Sequence, residues 1–342
     1  MKALRLYATR DLRVAELPKP EPGPGEALIR VRAVGVCGSD VHYYVDGHIG
    51  DAVADFPFTL GHEFAGEIAA LGPGAEGPPI GTPVAVDPAI ACGKCEICLE
   101  GDPNCCPNVR FPGSAPVEGS LAEYYAHPAE LCVPLPPSMD FADGAMLEPL
   151  GVTVHALSLA KIRPGNTISI LGAGPIGLMT LQVALGSAGA VYVTEPISER
   201  RELAAELGAT AVCDPGVDDP VAWLLDQTDG RGVDIAIELA WGADAVGQAV
   251  QMARPAGKVV VVGIPREDVV TFPAGNARRK GLSILMSRRM KLVYPQAIRL
   301  VERGVVDLRR LLTHRFPLER AAEAFDLVAG FKDGVIKAMI DL

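Results

Sequence analysis

The sequence predicts an α/β protein of two domains, one of them a doubly wound parallel sheet. Three observations carry that reading. At 342 residues the chain is too long for one ordinary core. From about Leu147 onward, short apolar runs (TISIL, AVYVTE, TAVCD, VDIAIEL, GKVVVVG) alternate with helical stretches such as SERRELAAELGA and GADAVGQAVQMA. That alternation is the mark of parallel strands with helices on both faces. The first run, Thr167–Leu171, also breaks at once into Gly172, Gly174 and Gly177, a G-x-G-x-x-G spacing between a strand and a helix. The expected organisation is a mostly-β domain over residues 1–153, the parallel-sheet domain over 154–287, and a return to the first domain over 288–342.

Composition excludes several classes. Hydrophobic residues make up 49% of the chain and no charged tail is present, so the protein is globular. A formal net charge of −11 with no basic stripe argues against nucleic acid or an anionic membrane as partner. The first residues, MKALRLYATRDLRVAEL, lack the apolar centre of a signal peptide, and no apolar run reaches the roughly 18 residues of a span. The expectation is a soluble, cytoplasmic protein, in which eight cysteines serve as metal ligands or buried thiols and not as disulfides.

Taken in order, KALRLY and the alternating ALIRVRAVGV read as strands around LPKPEPGPGE, which can only be loop. Next comes CGSDVHYY, Cys37 to Tyr44, rich in reactive side chains, and then TLGHEFAGEIAAL, where His62 and Glu63 interrupt a strand-like pattern. VAVDPAI leads into a lobe, residues 92–106, in which Cys92, Cys95, Cys98 and Cys106 are spaced C-x2-C-x2-C-x7-C. Two-residue gaps let thiolates converge on one ion, and four thiolates complete the closed tetrahedral shell of a structural zinc. The lobe has little core of its own, so the metal would hold it. A redox pair or two disulfides is the alternative, and the expected compartment disfavours it. Cys105 breaks the spacing and reads as a spare or buried thiol; Cys132 and Cys213 lie in strand-like runs and read as core. Such a knuckle alone would also suit a zinc ribbon on nucleic acid, which the acidic surroundings oppose.

After the lobe, GSLAEYYAHP resumes strand character and the glycine turn follows. Its first glycine turns the chain, the second admits a pyrophosphate to the backbone, and the third lets helix and strand pack closely, with the phosphates at the helix amino end. Gly172, Gly174, Pro175, Ile176 and Gly177 are therefore candidate cofactor contacts, joined by Glu195 after VYVT, Arg200, and Val262, Gly263 and Ile264 after GKVVV. The plainer alternative is a strand-to-helix turn that binds nothing. An acid at Glu195 predicts NAD over NADP: a 2′-phosphate at 4 Å would cost about 4 kcal/mol at an effective dielectric near 20. Arg200 and Arg201 would offset part of this, so preference is expected and not exclusion.

Cys37, His62, Glu63 and Glu148 are too far apart for spacing to join them. Singly, each suits a plainer role: core thiol, hydrogen-bonded histidine, surface acid, helix-start acid. Together, CGSD-x-H, GHE-x-x-G, the cysteine lobe and GAGPIG, in this order over essentially the whole chain, resemble the zinc-dependent medium-chain dehydrogenases. CGSDVHYY, GHEFAGEI, EPLGVTVHAL and THRFPLERAAEAF are most similar to the sorbitol and xylitol dehydrogenase branch. The resemblance implies a GroES-like, mostly-β catalytic domain joined to a Rossmann domain, and two zinc ions per chain. It implies that Cys37 and His62 hold a catalytic zinc, with Glu63 or Glu148 supplying the third ligand directly or through water. Neighbouring strand residues face opposite sides, so His62 and Glu63 can share the ion only if the backbone is irregular, which Gly61 permits.

Ser39 matches the family's relay hydroxyl and His42 its neighbouring acid–base group; as a turn cap, Ser39 would have a plainer role. Tyr43 and Arg289, with Glu148, match positions that contact substrate oxygens. Met290 departs from the branch, which usually has tyrosine there; Arg288 and Lys291 read as solvated charge. The implied reaction is NAD-dependent oxidation of a small polyol at a secondary alcohol, by hydride transfer from a zinc-polarised hydroxyl. L-threonine and 2,3-butanediol dehydrogenation are the nearest alternatives. A non-catalytic dinucleotide-binding protein is the alternative of another class. The implied assembly is a homotetramer or homodimer.

Overall fold

The computed structural model describes Met1–Leu342 except residues 243, 267 and 268. The chain divides into two compact units, Met1–Pro149 with Leu308–Leu342, and Leu150–Asp307.

The first unit begins with β1 (Lys2–Ala8) and β2 (Asp11–Glu16), followed by β3 (Glu26–Gly35) and helix α1 (Gly38–Asp46). A small hairpin, β4 (His48–Ile49) and β5 (Ala52–Val53), precedes β6 (Glu63–Leu71) and β7 (Pro83–Val86). One helical turn, α2 (Glu96–Leu99), lies in the cysteine lobe, before β8 (Tyr124–Pro128), β9 (Cys132–Pro134) and the long helix α3 (Phe141–Ala160). That helix starts earlier than the apolar pattern suggests. Asp140 and Asp143 cap its first turn reciprocally: the Asp143 amide donates to Asp140 Oδ1 at 2.8 Å, and the Asp140 amide to Asp143 Oδ2 at 3.2 Å. Pro149 sits inside α3 and removes one helical hydrogen bond there.

The second unit continues through β10 (Thr167–Leu171), α4 (Pro175–Leu185), β11 (Ala190–Thr194), α5 (Ser198–Glu206), β12 (Ala211–Cys213) and α6 (Pro220–Gln227). It closes with β13 (Val233–Glu238), α7 (Ala245–Met252), β14 (Ala253–Val261), α8 (Ala274–Lys280), β15 (Ser283–Met286) and α9 (Tyr294–Glu302). The six strands pair in parallel in the order β12-β11-β10-β13-β14-β15. This is a doubly wound sheet, and its order reverses between β10 and β13, where such sheets open a crevice at their carboxyl ends. Every residue of β13 is buried, as a central parallel strand requires. Its core gathers Leu171, Leu224, Val246, Val250, Val259 and Val261.

The chain then returns to the first unit with β16 (Leu312–Pro317), α10 (Ala321–Ala329) and β17 (Lys337–Asp341). The return falls at Leu308, later than the 288 that the sequence suggests by the whole of α9 and its flanks. The amide of Asp307 donates to Gln182 Oε1 of α4 at 2.7 Å, and a Cβ on Gly151 would meet Met290 and Val293, so residues 288–307 belong with the second unit. In the first unit the sheet runs β16-β17-β3-β6-β7-β9, with β8 also on β3. Leu4, Ile29, Phe64, Ile68, Leu121 and Phe325 are at the centre of its core. Burying an aromatic such as Phe64 there is worth about 3–5 kcal/mol against alanine.

Candidate active site

Cys37 is the N-cap of α1, at the end of the loop that leaves β3. One backbone position places its partners. Gly61 adopts φ +97°, a left-handed conformation that a side chain would strain. This turn leaves His62 just outside β6 and Glu63 as its first residue. The alternation of a regular strand therefore does not apply to the pair, and one ligand atom each from Cys37, His62 and Glu63 lies within 4.8 Å of the others.

Asp40 ties this arrangement together, a role the sequence reading did not assign. Fully buried, it accepts the Cys37 amide at 3.2 Å and the Gly61 amide at 3.1 Å, and its Oδ1 is 3.4 Å from His62 Nδ1. His62 Nε2 lies 3.4 Å from Ser39 Oγ, and its ring centroid is 5.1 Å from that of Phe111. Burial disfavours a charge on His62, but Asp40 and Cys37 outweigh it and raise its pKa well above the usual range. A site that so stabilises positive charge fits a cation.

Lys337, in β17, was also missed. Its ammonium is buried, donates to the Val36 carbonyl at 3.1 Å and pairs directly with Glu63. Gly35 makes room: a Cβ there would overlap the Glu63 carboxylate and crowd the Lys337 stem. The available signal was a lysine inside the apolar closing run VIKAMIDL. Glu148, in α3, stands outside the three-residue cluster but feels it. Burial pushes its carboxyl up to about 7, His62 pulls it down and Glu63 pushes it further up. Among the described residues, this set of thiol, imidazole and carboxylate has the ligand types that zinc takes.

His42 is buried one turn along α1 from Ser39, its Nδ1 3.6 Å from Asp46. Tyr43, expected to contact substrate oxygens, is held within the first unit. It is buried, its hydroxyl accepts the Ala115 amide at 3.1 Å and lies 3.5 Å from Ser114 Oγ, and its ring packs on Phe58. Arg289 belongs to the second unit and adopts φ +52°.

The lobe brings Cys92, Cys95, Cys98 and Cys106 together, again within 4.8 Å. The Cys92 amide points at Cys106 Sγ at 3.4 Å, and Cys95 and Cys106 sulfurs are 3.8 Å apart. The amides of Lys94 and Cys95 lower the Cys92 thiol to about 6, whereas desolvation and the neighbouring thiols raise Cys98 to about 12. Four thiolates gathered this closely would need a cation to offset their charge, and zinc takes such a set. Cys105 is exposed and outside the group; Cys132 and Cys213 are buried.

In the second unit Gly172, at φ +100°, turns the chain out of β10. A Cβ on Gly177 would overlap the Gly172 carbonyl, so the close helix–strand approach needs glycine there. Gly174 caps α4, with Pro175 and Ile176 opening it. Glu195 is buried; its carboxylate accepts the Ala173 amide of the turn at 2.6 Å and the Ile197 amide at 3.0 Å. Arg200 is buried beside Gly174. Across the reversal of strand order, Glu238 accepts the amides of Ala240 at 2.7 Å and Gly263 at 3.2 Å, and burial lifts its carboxyl to about 7. The Val262 amide bonds the Glu238 carbonyl at 2.9 Å, and Ile264 is exposed. The turn and these strand ends therefore line one edge of the sheet.

Two family descriptions match the chain: "Alcohol dehydrogenase GroES-like domain" over residues 23–137 and "Zinc-binding dehydrogenase" over 175–303. Sorbitol dehydrogenase of Bacillus subtilis is 37% identical over 341 residues, covering 99% of this chain and 97% of that protein. L-arabinitol 4-dehydrogenase of Hypocrea jecorina is 36% identical over 329 residues, covering 93% and 85%. The crystal structure of a putative zinc-binding dehydrogenase from Sinorhizobium meliloti 1021, bound to NADP, superposes with a TM-score of 0.91 at 33% identity, covering 100% of this chain and 99% of that one.

Proposed function

The chain belongs to the zinc-dependent medium-chain dehydrogenases, in their polyol dehydrogenase branch, and we propose that it oxidises a sorbitol- or xylitol-like alditol to the ketose with NAD. The observation that carries this is the convergence of Cys37, His62 and Glu63 beside the buried Glu148. Zinc held by Cys37, His62 and a carboxylate of the Glu63–Glu148 pair would polarise the substrate hydroxyl and lower its pKa. The lobe cysteines would hold the second, structural ion.

The chain's own groups do the rest. Ser39 Oγ, 3.4 Å from the His62 ring, accepts the hydroxyl proton and hands it along α1. His42 lies three residues on, on the same face, and receives it with Asp46 beside its Nδ1. Tyr43 steadies the loop at Ser114 and Ala115 and keeps its own hydroxyl proton for a substrate oxygen. Glu63, paired with Lys337, and Glu148 offer carboxylate oxygens that can accept from a chain of hydroxyls. Arg289 is assigned to substrate oxygens, and Glu195 to the ribose hydroxyls of NAD.

A site that pairs hydroxyls rejects analogues lacking them by factors on the order of 10⁴ in favourable cases. Specificity constants for xylitol, sorbitol, 2,3-butanediol, L-threonine and 2-propanol, taken at one pH with NAD, test the reading. An alditol should lead, with 2-propanol far behind. Threonine or the plain diol leading by about tenfold would replace the polyol assignment; the buried Met290, where the branch usually has tyrosine, is the residue that favours such an outcome.

A further inference from the structure

Two arginines follow Glu195 at the start of α5, and their surroundings differ. In dinucleotide sites of this kind an acid at the strand end takes the ribose hydroxyls of NAD, whereas a nearby arginine accommodates the 2′-phosphate of NADP. Arg200 is buried, and its Nη1 would come within 3.8 Å of a Cβ built on Gly174, so it is packed on the glycine turn. Arg201 is turned to the strand ends instead. Its Nη1 donates to the carbonyls of Glu195 at 2.8 Å and Pro196 at 3.0 Å, and lies 3.1 Å from Asp214 Oδ2.

Asp214 follows β12, the neighbour of β11, and the Glu195 amide donates to the Cys213 carbonyl at 3.0 Å. The two strand ends are thus stitched together, and among the described residues Asp214 supplies the charged group that holds Arg201. The Arg201 and Asp214 side chains are 21% and 25% exposed, so the guanidinium has solvent to turn into once released.

We infer that Asp214 is a specificity-determining residue for the cofactor: by holding Arg201 on the strand ends, it withholds from the ribose 2′ position the guanidinium that a 2′-phosphate needs. The inference rests on the reading that the second unit binds NAD. It explains how a chain with two arginines beside its acid can still disfavour NADP, a cofactor held by the S. meliloti neighbour. Asp218 and Asp219 follow Asp214 in the same loop and add to the negative charge, so the effect of Arg201 must be separated from that of charge alone.

Fluorescence titration of the full-length, zinc-loaded protein with NADH and NADPH does this. Asp214→Asn keeps the acceptor that bonds the Gly216 amide at 2.9 Å, so the loop is preserved while the ion pair is lost. That variant should bind NADPH about tenfold more tightly than wild type, the scale of one charge-assisted arginine–phosphate contact, with NADH affinity changed less than about threefold. Asp214→Ser should do the same, and stands in if the asparagine variant fails to fold. Arg201→Gln alone should leave NADPH affinity unchanged, and Asp214→Asn combined with Arg201→Gln should lose the gain. An unchanged NADPH-to-NADH ratio in Asp214→Asn and Asp214→Ser overturns the inference. A gain that survives in the double variant assigns it to lost negative charge and overturns it too. Wild-type protein that binds NADPH more tightly than NADH overturns the NAD reading, and the inference with it, before any variant is made.

Discussion

Lys337 carries the consequence of burying a charge. Its partner Glu63 is equally buried, and breaking such a pair from one side leaves an uncompensated carboxylate, at a cost of about 3–5 kcal/mol. Lys337→Met should therefore lower the stability of metal-stripped protein by that order in chemical denaturation, and zinc should recover part of it, because the freed Glu63 can turn to the ion. Equal stability of variant and wild type without metal would show that the pair is not what holds Glu63. His127 is a second buried group with a measurable signature. Its Nε2 donates to the Asp87 carbonyl at 2.8 Å, which fixes the neutral tautomer, and burial lowers its pKa to about 4. The unfolded chain takes up a proton near pH 6.5 that the folded protein refuses until about pH 4, so stability falls as pH drops through that window. Asp87, raised to about 6 by burial, works in the opposite sense, because a folded state that binds its proton early gains stability on acidification. Comparing wild type with His127→Gln cancels the Asp87 contribution. The wild type should lose as much as about 3 kcal/mol more than the variant between pH 6.5 and 4; parallel curves would mean that His127 titrates alike in the folded and unfolded chain.

At the scale of elements, the parallel sheet depends on what ties the starts of β10 and β13. Asp234 accepts from the Thr167 amide at 2.8 Å and its hydroxyl at 2.9 Å, and pairs with Arg231 at 2.7 Å and Arg254 at 2.5 Å. Burial opposes its charge, but those donors hold its carboxyl well below the usual range. That contribution is complete above the unfolded carboxylate pKa near 3.9 and is lost as pH falls below it. Asp234→Asn should cost about 1–3 kcal/mol at neutral pH, since one arginine is half exposed and screened. The cysteine lobe responds differently. Cys95→Ser should remove one zinc and open residues 92–106 to protease while alditol turnover persists; turnover lost with the lobe still closed would exchange the roles of the two metal sites. Elements whose cause is local were legible in the sequence: the glycine turn, the lobe spacing and the alternating strands all stand where their residues predict. The start of α3 was not, because its cap lies in Asp140 and Asp143 and not in the apolar pattern.

Over the whole molecule, what the sequence hides is contact between distant segments. Lys337 reaches Glu63 across 274 positions because β17 returns to pair with β3, and no period or spacing encodes that. Asp40 was visible as part of CGSD, but its hold on Cys37, Gly61 and His62 appears only once α1 is folded beside that turn. The late return to the first unit has the same origin, a hydrogen bond from Asp307 to α4 that lies outside any local pattern. No described helix is long and apolar enough to cross a membrane. Among the described residues two separate donor sets stand out, one with a single thiol beside imidazole and carboxylate, the other with four thiols. Zinc stoichiometry by elemental analysis, read beside alditol turnover in wild type and Cys37→Ser, separates the two sites most directly. Two ions per chain with turnover are expected in wild type, and one ion, an intact fold and no turnover in Cys37→Ser. A single ion in fully active wild type, or turnover undiminished in Cys37→Ser, would contradict the two-site reading.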